Sequence, residues 1–159
     1  MTFVAGVTPP LKGVGFAIEG DREATEAARK IVARLGGDSF VIAKKDKVLY
    51  HAWGMFASPL LTALLAITER VARKAGVPRG KEREWVLPIL RQTVENYARH
   101  GAALGFSGPI IRGVAATLAR HLKELRRLPE ARRIYRALAR FAARNLPARN
   151  KAGLLKILK

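Results

Sequence analysis

The sequence predicts a mainly α fold, a multi-helix bundle preceded by a short βαβ-like fragment. Beyond residue 46, apolar side chains recur at helical spacing in successive segments that are separated by glycine and proline. Before residue 46, two apolar runs of strand length flank one helical segment. We therefore expect two domains, a βαβ-like remnant of a larger sheet at residues 1–45 and a helical domain at residues 46–159.

The N-terminal domain is predicted from its turn signals. Residues 1–15 are rich in glycine and proline, which indicates an irregular segment. Residues 16–19 form a strand, Asp21 caps the following helix, Gly36-Gly37 ends that helix, and residues 39–43 form a second strand. A unit of this size is too small to be stable alone, so we expect it to need a larger sheet beside it.

The next segment is apolar throughout. Residues 48–68 contain no Asp, Glu, Lys or Arg, and about 20 apolar residues can span a bilayer. Polar residues interrupt the run, however, and basic residues flank both ends without an orientation bias. We favour a helix that is buried centrally or shared across a homodimer interface, and we expect no membrane association.

Further helices complete the predicted bundle. One covers residues 82–104 with a kink at Pro88, one follows Pro109, one begins at Pro129, and a short basic amphipathic tail covers residues 151–159. The predicted core side chains are, helix by helix, Trp85, Ile89, Val94 and Tyr97; Val114, Leu118, Leu122 and Leu125; and Ile134, Tyr135, Leu138, Phe141 and Ala142.

A first group of candidate site residues lies at the start of the apolar segment. Lys47, His51 and Ser58 follow helical spacing and project from one stripe, with Gly54 opening a gap between them. Pro59 has no N–H to donate, so we expect the helix to break there and expose backbone polar groups. His51 suits proton transfer near neutral pH, and Lys47 suits anion binding or carbonyl polarisation. The alternative is that these side chains are structural.

A second group surrounds a glycine-proline turn. Ser107-Gly108-Pro109 predicts a turn that starts a helix, with Arg112 in the first helical turn, where N–H groups attract a carboxylate or phosphate. The alternative is an ordinary turn and a solvated arginine. The three histidines have no acidic neighbours at ligand spacing, which indicates no metal site, and we expect His121 at the edge of the core.

Charge is concentrated at the C-terminal end. The formal net charge is +18, and residues 100–159 carry most of the excess. An arginine-rich face is predicted from Arg126, Arg127, Arg132, Arg133, Arg136, Arg140 and Arg144. Nucleic-acid binding is one interpretation, but no aromatic stacking platforms are interleaved, so a solvated face or a generic polyanion contact is favoured. Cysteine is absent and no signal peptide is indicated, which favours a cytoplasmic protein.

Three motifs resemble a known family. They are Phe16-Ala17-Ile18-Glu19-Gly20-Asp21, Lys47-x-x-Tyr50-His51 and Gly108-Pro109-x-x-Arg112-Gly113. Together they resemble the helical domain catalogued as domain of unknown function 2520, and Met1-Thr2-Phe3 resembles the end of that family's His-Pro-x-x-Thr-Phe segment. In that family the domain follows a Rossmann-type domain, and the whole is similar to pyrroline-5-carboxylate reductase and 6-phosphogluconate dehydrogenase.

The resemblance implies a function and a site. The chain would be the substrate-binding and dimerisation domain of an NAD(P)-dependent oxidoreductase, with NADP or NAD bound mainly by a Rossmann-type domain outside it. Pro59 stands where Asn is common and Val114 where Asp is common, so those groups have no role here. The implied site residues are Lys47 and His51 as catalytic groups and Tyr50, Ser58, Gly108, Pro109 and Arg112 as substrate contacts.

The chain itself carries no dinucleotide fingerprint. Gly13-Val14-Gly15 precedes a strand rather than joining a strand to a helix, so we expect neither tight dinucleotide binding nor catalysis by this chain alone. The expected partners are a small-molecule substrate and a second copy of the chain. The alternative function is a non-catalytic basic helical protein that binds nucleic acid or another polyanion.

Overall fold

The computed structural model describes Gly6 and residues 10–159. Met1-Thr2-Phe3 and most of the predicted irregular segment therefore lie outside the described residues. The elements in chain order are β1 (Gly15–Ile18), α1 (Arg22–Arg34), β2 (Asp38–Val41), α2 (Lys47–Ala57), α3 (Pro59–Lys74), α4 (Glu82–Gly105), α5 (Ala115–Glu124), α6 (Pro129–Asn145) and α7 (Lys151–Ile157). The predicted mainly α fold with a short N-terminal βαβ unit is confirmed.

The chain divides into two compact units, Met1–Ala66 and Ile67–Lys159. The division falls inside α3, the helix that runs through the apolar segment. Each unit has its own internal packing. The domain boundary after residue 45 stays a prediction.

The first unit contains the βαβ element. β1 and β2 pair in parallel, with Phe16 opposite Ser39. Asp21 caps α1 as predicted, because its carboxylate accepts the Ala24 N–H at 2.8 Å. Gly36 leaves the helix with φ of 73°, a conformation that glycine adopts without strain. Among the described residues these two strands make up the whole sheet, so each has one edge without a neighbouring strand.

The break between α2 and α3 is confirmed at Ser58. This residue has φ of −131° and ψ of −81°, and its carbonyl accepts the N–H of Thr62 at 2.9 Å. Pro59 begins α3, because the ring fixes a helical φ and the first helical position needs no N–H.

The prediction that the apolar segment forms a centrally buried helix is wrong within this chain. Val48 is 80% exposed, and Leu49 and Phe56 are exposed to a similar degree. Lys44–Lys74 is long and apolar enough to cross a membrane by length and composition alone, and none of its most apolar stretch is buried. The homodimer interface predicted for this segment stays a prediction.

The second unit begins with the long helix α4. Its backbone is helical through Pro88 and breaks at Gly101, which has φ of 69° and ψ of 179°. Glycine adopts such a positive φ without strain, so the helix is interrupted at Gly101, which sequence reasoning did not identify. The kink at Pro88 stays a prediction. The four predicted core residues of this helix, Trp85, Ile89, Val94 and Tyr97, are all more than half exposed.

The core of the second unit forms among α5, α6 and α7. Its buried members are Leu118, Leu122, Ala139, Ala143, Leu154 and Leu158. Leu118 and Leu122 were predicted correctly, whereas Val114, Leu138 and Phe141 are exposed.

Two features of α6 and α7 explain why the core differs from the predicted one. The buried positions of α6 are alanines, Ala131, Ala139, Ala142 and Ala143, and their small side chains leave room for α7 against this helix. The C-terminal tail is therefore part of the core, because Leu154 and Leu158 are fully buried there.

Candidate functional site

An open cleft of about 720 Å³ lies in the first unit. Its walls come from β1, α1 and α2. The polar side chains along it belong to Glu19, Lys47, Tyr50 and His51, and Trp53 adds an apolar surface. In open parallel sheets the carboxyl ends of the strands are where ligands bind, and Glu19 directly follows the last residue of β1.

Glu19 and Lys47 form an ion pair in this cleft. Lys47 Nζ donates to Glu19 Oε2 at 2.7 Å. The hydrogen bond and the positive charge of Lys47, with a further contribution from Lys44, hold the pKa of Glu19 below its ordinary value. Glu19 is therefore ionised at neutral pH, and the Lys47 ammonium is directed towards the end of β1.

His51 lies one helical turn beyond Lys47 on α2 and lines the same cleft. It is exposed to solvent, so its ring can reach a bound molecule. Gly54 lies almost one turn further along, and the space where a Cβ would stand is open. The imidazole therefore borders an accessible gap in the helix surface.

Tyr50 connects the cleft to an aromatic cluster. Its ring meets Phe40 edge to face with centroids 5.7 Å apart, and it lies 5.4 Å from the ring of Trp53. Such contacts add to the stability of apolar packing and restrict the rings. The cleft thus combines charged and aromatic side chains in one lining.

The predicted site residues divide into two groups. Lys47, Tyr50 and His51 line the cleft, whereas Ser58 lies outside its lining at the break between α2 and α3. Gly108, Pro109 and Arg112 belong to the second unit. Their assignment to one site with His51 stays a prediction.

The position of Arg112 corrects one expectation. Residues 109–113 form consecutive turns, and α5 begins only at Ala115, so Arg112 precedes the helix instead of lying in its first turn. The Val114 N–H is donated to the Pro109 carbonyl at 3.0 Å, which keeps the chain in turns. The exposed Arg112 side chain thus lacks the N-terminal helix position from which anion binding was predicted.

Gly113 fastens these turns to the loop between α6 and α7. The Arg149 N–H is donated to the Ile111 carbonyl at 3.1 Å, and Asn150 Nδ2 donates to the Gly113 carbonyl at 3.3 Å. A Cβ on Gly113 would stand 2.7 Å from the Arg149 carbonyl oxygen. The backbone of Arg149 therefore leaves no room for a side chain at Gly113, the last residue of the third motif.

Comparison with known proteins decides the family. Residues 14–142 match the family model described as Domain of unknown function (DUF2520). The chain belongs to the DUF2520 family. No curated protein and no solved structure matches it. The family resemblance is thus confirmed, and the relation to Rossmann-type oxidoreductases belongs to the proposal below.

In this DUF2520 chain the N-terminus of α1, the helix between the two strands, does not fit the pyrophosphate of a dinucleotide. That group requires a free helix N-terminus after a strand. In the βαβ unit the N-terminus of α1 is occupied by the Asp21 carboxylate, with Glu19 before it and Glu23 in the first turn. Three carboxylates would repel a pyrophosphate. Nor do the described residues contain a cluster of His, Cys, Asp or Glu that could hold a metal ion.

Sequence reasoning did not single out Glu19 as a site residue. The available signal was its position directly after a predicted strand, at the edge where parallel sheets bind ligands. Its partner Lys47 lies 28 residues further along the chain, and only the fold brings the two together.

Three arginines of the predicted basic face have partners among the described residues. Arg127 forms an ion pair of 3.8 Å with Glu124. Arg132 Nε donates to the Leu122 carbonyl at 3.1 Å, and Arg140 donates to the Leu158 carbonyl through Nε and Nη2. His121 forms a hydrogen bond of 2.9 Å with the hydroxyl of Tyr135. Nucleic-acid binding by the DUF2520 chain stays the alternative that was not favoured.

Proposed function

We propose that this chain is the C-terminal substrate-binding and dimerisation domain of an NAD(P)-dependent oxidoreductase, whose nucleotide-binding half is a Rossmann-type domain outside these residues. The observation that carries the proposal is the cleft at the carboxyl end of β1, where an ion-paired Lys47 and an exposed His51 border the same space. The family match over residues 14–142 is compatible with it.

The cleft has the groups that a small carbonyl or imine substrate requires. An imidazole can act as a general acid, so His51 can protonate the substrate oxygen or nitrogen. Lys47 is oriented by Glu19 and offers its remaining N–H groups to a substrate carboxylate or carbonyl. The rings of Tyr50 and Trp53 offer an apolar surface to the substrate.

Two surfaces of the first unit are suited to binding partners, the apolar surface of α2 and the edges of the two-stranded sheet. Val48, Leu49 and Phe56 of α2 are each at least 72% exposed, and a contiguous apolar surface of this kind is typical of a protein interface. The free edges of the two-stranded sheet suit extension by further strands. We assign the apolar surface of α2 to a second copy of the chain, and the sheet edge to the Rossmann-type domain. NADP or NAD would be held by that domain.

The decisive experiment uses the coding DNA on the 5′ side of Met1. An open frame that encodes Gly-x-Gly-x-x-Gly between a strand and a helix would be expressed with this chain, and oxidation of NADPH and NADH would be followed with a panel of small carbonyl and imine acids. We expect turnover with at least one compound. A chain that folds without any adjoining dehydrogenase half, and an extended protein that oxidises neither cofactor, would contradict the proposal.

Variants of the extended protein test the roles in the cleft. His51→Leu should lower kcat/KM by about 10²-fold or more, the usual contribution of a positioned acid–base group. Lys47→Met should raise KM for anionic substrates. Lys45→Met is the matched control, because Lys45 is an exposed neighbour that does not line the cleft, and it should leave both parameters unchanged.

A further inference from the structure

A second cleft, of about 650 Å³, lies in the other compact unit and is lined by residues of α6, of α7 and of the C-terminal end. Its lining consists of Arg140, Arg144, Ala152, Leu155, Lys156 and Lys159. Four of these six side chains are cationic, and the other two are apolar. The cleft is thus basic with a small apolar floor, unlike the mixed cleft of the first unit.

The four cations come from two segments of the chain. Arg140 and Arg144 are four residues apart on α6, and side chains at this spacing are neighbours on one helix surface, about 5–6 Å apart at Cβ. Lys156 lies in the last turn of α7, and Lys159 follows the end of that helix. The cleft therefore gathers positive charges from α6 and from the C-terminal segment.

Arg140 is held in place by the protein itself. Its guanidinium donates through Nε and Nη2 to the Leu158 carbonyl at the end of α7, and it is partly buried. The remaining guanidinium N–H groups are free to face a ligand. One cation is thus preorganised, and the other three are exposed around it.

Nothing in the described residues neutralises this charge. None of the four side chains has a carboxylate within 4.0 Å, although eight other ion pairs are formed among the described residues. Residues 131–159 contain no Asp or Glu at all. Four cations would leave a positive surplus even if an α-carboxylate at Lys159 were counted. Like charges around one cleft repel each other, and a bound anion relieves that repulsion.

We propose that this cleft binds a run of consecutive phosphate groups. Arginine pairs with phosphate through two parallel N–H donors and lysine adds a point charge, so a cleft lined by two residues of each type suits several phosphates at once. The lining contains no aromatic side chain, so bases are not stacked and recognition is independent of sequence. The phosphates can come from a nucleic-acid backbone or from a soluble polyphosphate. This inference does not depend on the proposed oxidoreductase function.

The test measures anisotropy of a fluorescein-labelled oligothymidylate on the full chain, with tripolyphosphate as competitor and as a separate calorimetric ligand. The cleft variant is Arg144→Glu with Lys156→Glu, both at exposed positions. The control is Arg133→Glu with Arg91→Glu, which changes the net charge equally at exposed positions outside the cleft. Arg140 is left intact because it caps α7.

We expect the cleft variant to lose affinity for both probes by about tenfold or more, and the control by about threefold or less. The slope of log K against log salt for the oligonucleotide should fall by about 1.4 in the cleft variant, because two of its phosphate contacts at about 0.7 each are removed. Circular dichroism checks the fold. The milder pair Arg144→Gln and Lys156→Gln, with the same direction of effect, replaces the first pair if that one unfolds.

The two probes distinguish the source of the phosphates. Binding of the oligonucleotide without displacement by tripolyphosphate assigns the cleft to a nucleic-acid backbone. Binding of tripolyphosphate alone assigns it to a soluble polyphosphate. Equal losses in the cleft and control variants, binding of neither probe, or binding only to phosphatidylglycerol vesicles would overturn the proposal.

Discussion

Lys47 Nζ lies 2.7 Å from Glu19 Oε2, so an ion pair joins the first residue of α2 to the residue that follows β1. The two residues are 28 positions apart in sequence, and their contact joins the start of α2 to the end of β1. His51 lies one turn further along the same helix. The ion pair and the candidate acid–base group thus border the same cleft.

The ion pair predicts a pH-dependent contribution to stability. Lys47 lowers the pKa of Glu19, and a carboxyl group with a lowered folded-state pKa stabilises the fold above its unfolded pKa. This contribution is lost as the pH falls through the folded-state value. Wild type should therefore be more stable than Glu19→Gln near neutral pH, and the difference should vanish below the ordinary carboxyl range. Urea unfolding of both proteins across this range measures it.

A matched control is available for that prediction. Glu95 is an exposed glutamate on α4 and has no basic partner within 4.0 Å among the described residues. Glu95→Gln should not reproduce the pH dependence. A difference between wild type and Glu19→Gln that persists unchanged into acid would count against the ion pair.

Gly113 predicts a destabilisation that exceeds simple backbone strain. Gly108→Ala and Gly113→Ala both place a Cβ on a residue with φ above 70°, which costs about 1–2 kcal/mol. Only at Gly113 does the added Cβ meet another group, the Arg149 carbonyl at 2.7 Å, whereas Gly108 has open space. Thermal unfolding should show Gly113→Ala as the less stable variant. Equal losses would mean that Arg149 yields without cost.

The C-terminal helix is predicted to be essential to the core of its unit. Leu154→Ala removes a fully buried side chain and should lower the free energy of unfolding by about 2–5 kcal/mol. Leu104→Ala truncates a leucine that is 82% exposed and should change it by less than about 0.5 kcal/mol. Denaturant unfolding compares the two. Similar effects from both would contradict the placement of α7.

The apolar surface of α2 predicts a homodimer. Val48→Glu with Phe56→Glu introduces charges on exposed apolar positions and should convert a dimer to a monomer in sedimentation velocity. Leu138→Glu, at a half-exposed position on α6, should leave the dimer intact. A wild-type protein that is monomeric in buffer, or soluble only in detergent, would refute the homodimer.

The parts of this fold that sequence reasoning predicted are those set by local chemistry. The Asp21 cap, the stop at Gly36 and the break before Pro59 each depend on one residue and its immediate neighbours. These three features could therefore be predicted without knowledge of the fold. The shared helix face of Lys47 and His51 on α2 could also be predicted, because helical spacing is a local property of the sequence.

The errors in the sequence-based predictions concern which helix faces and side chains contact one another. Periodicity on α6 identified a large apolar face with Leu138 and Phe141, but the packed face uses Ala139 and Ala143. Burial depends on the partner helix, and a tail as short as α7 carried too weak a signal to be recognised as that partner. The Glu19 contact was missed because no local pattern links residues so far apart.

The most direct test of the candidate site is a ¹H–¹⁵N NMR titration of the full chain with pyruvate and with pyrroline-5-carboxylate. Trp53 lines the cleft and Trp85 is the other of the two tryptophans, so Trp85→Phe leaves one indole signal as a reporter. We predict saturable shifts at Glu19, His51 and the Trp53 indole, kept in Lys45→Met and abolished in Lys47→Met. Shifts confined to other regions, or unaffected by loss of Lys47, would contradict the assignment of this cleft as the substrate site.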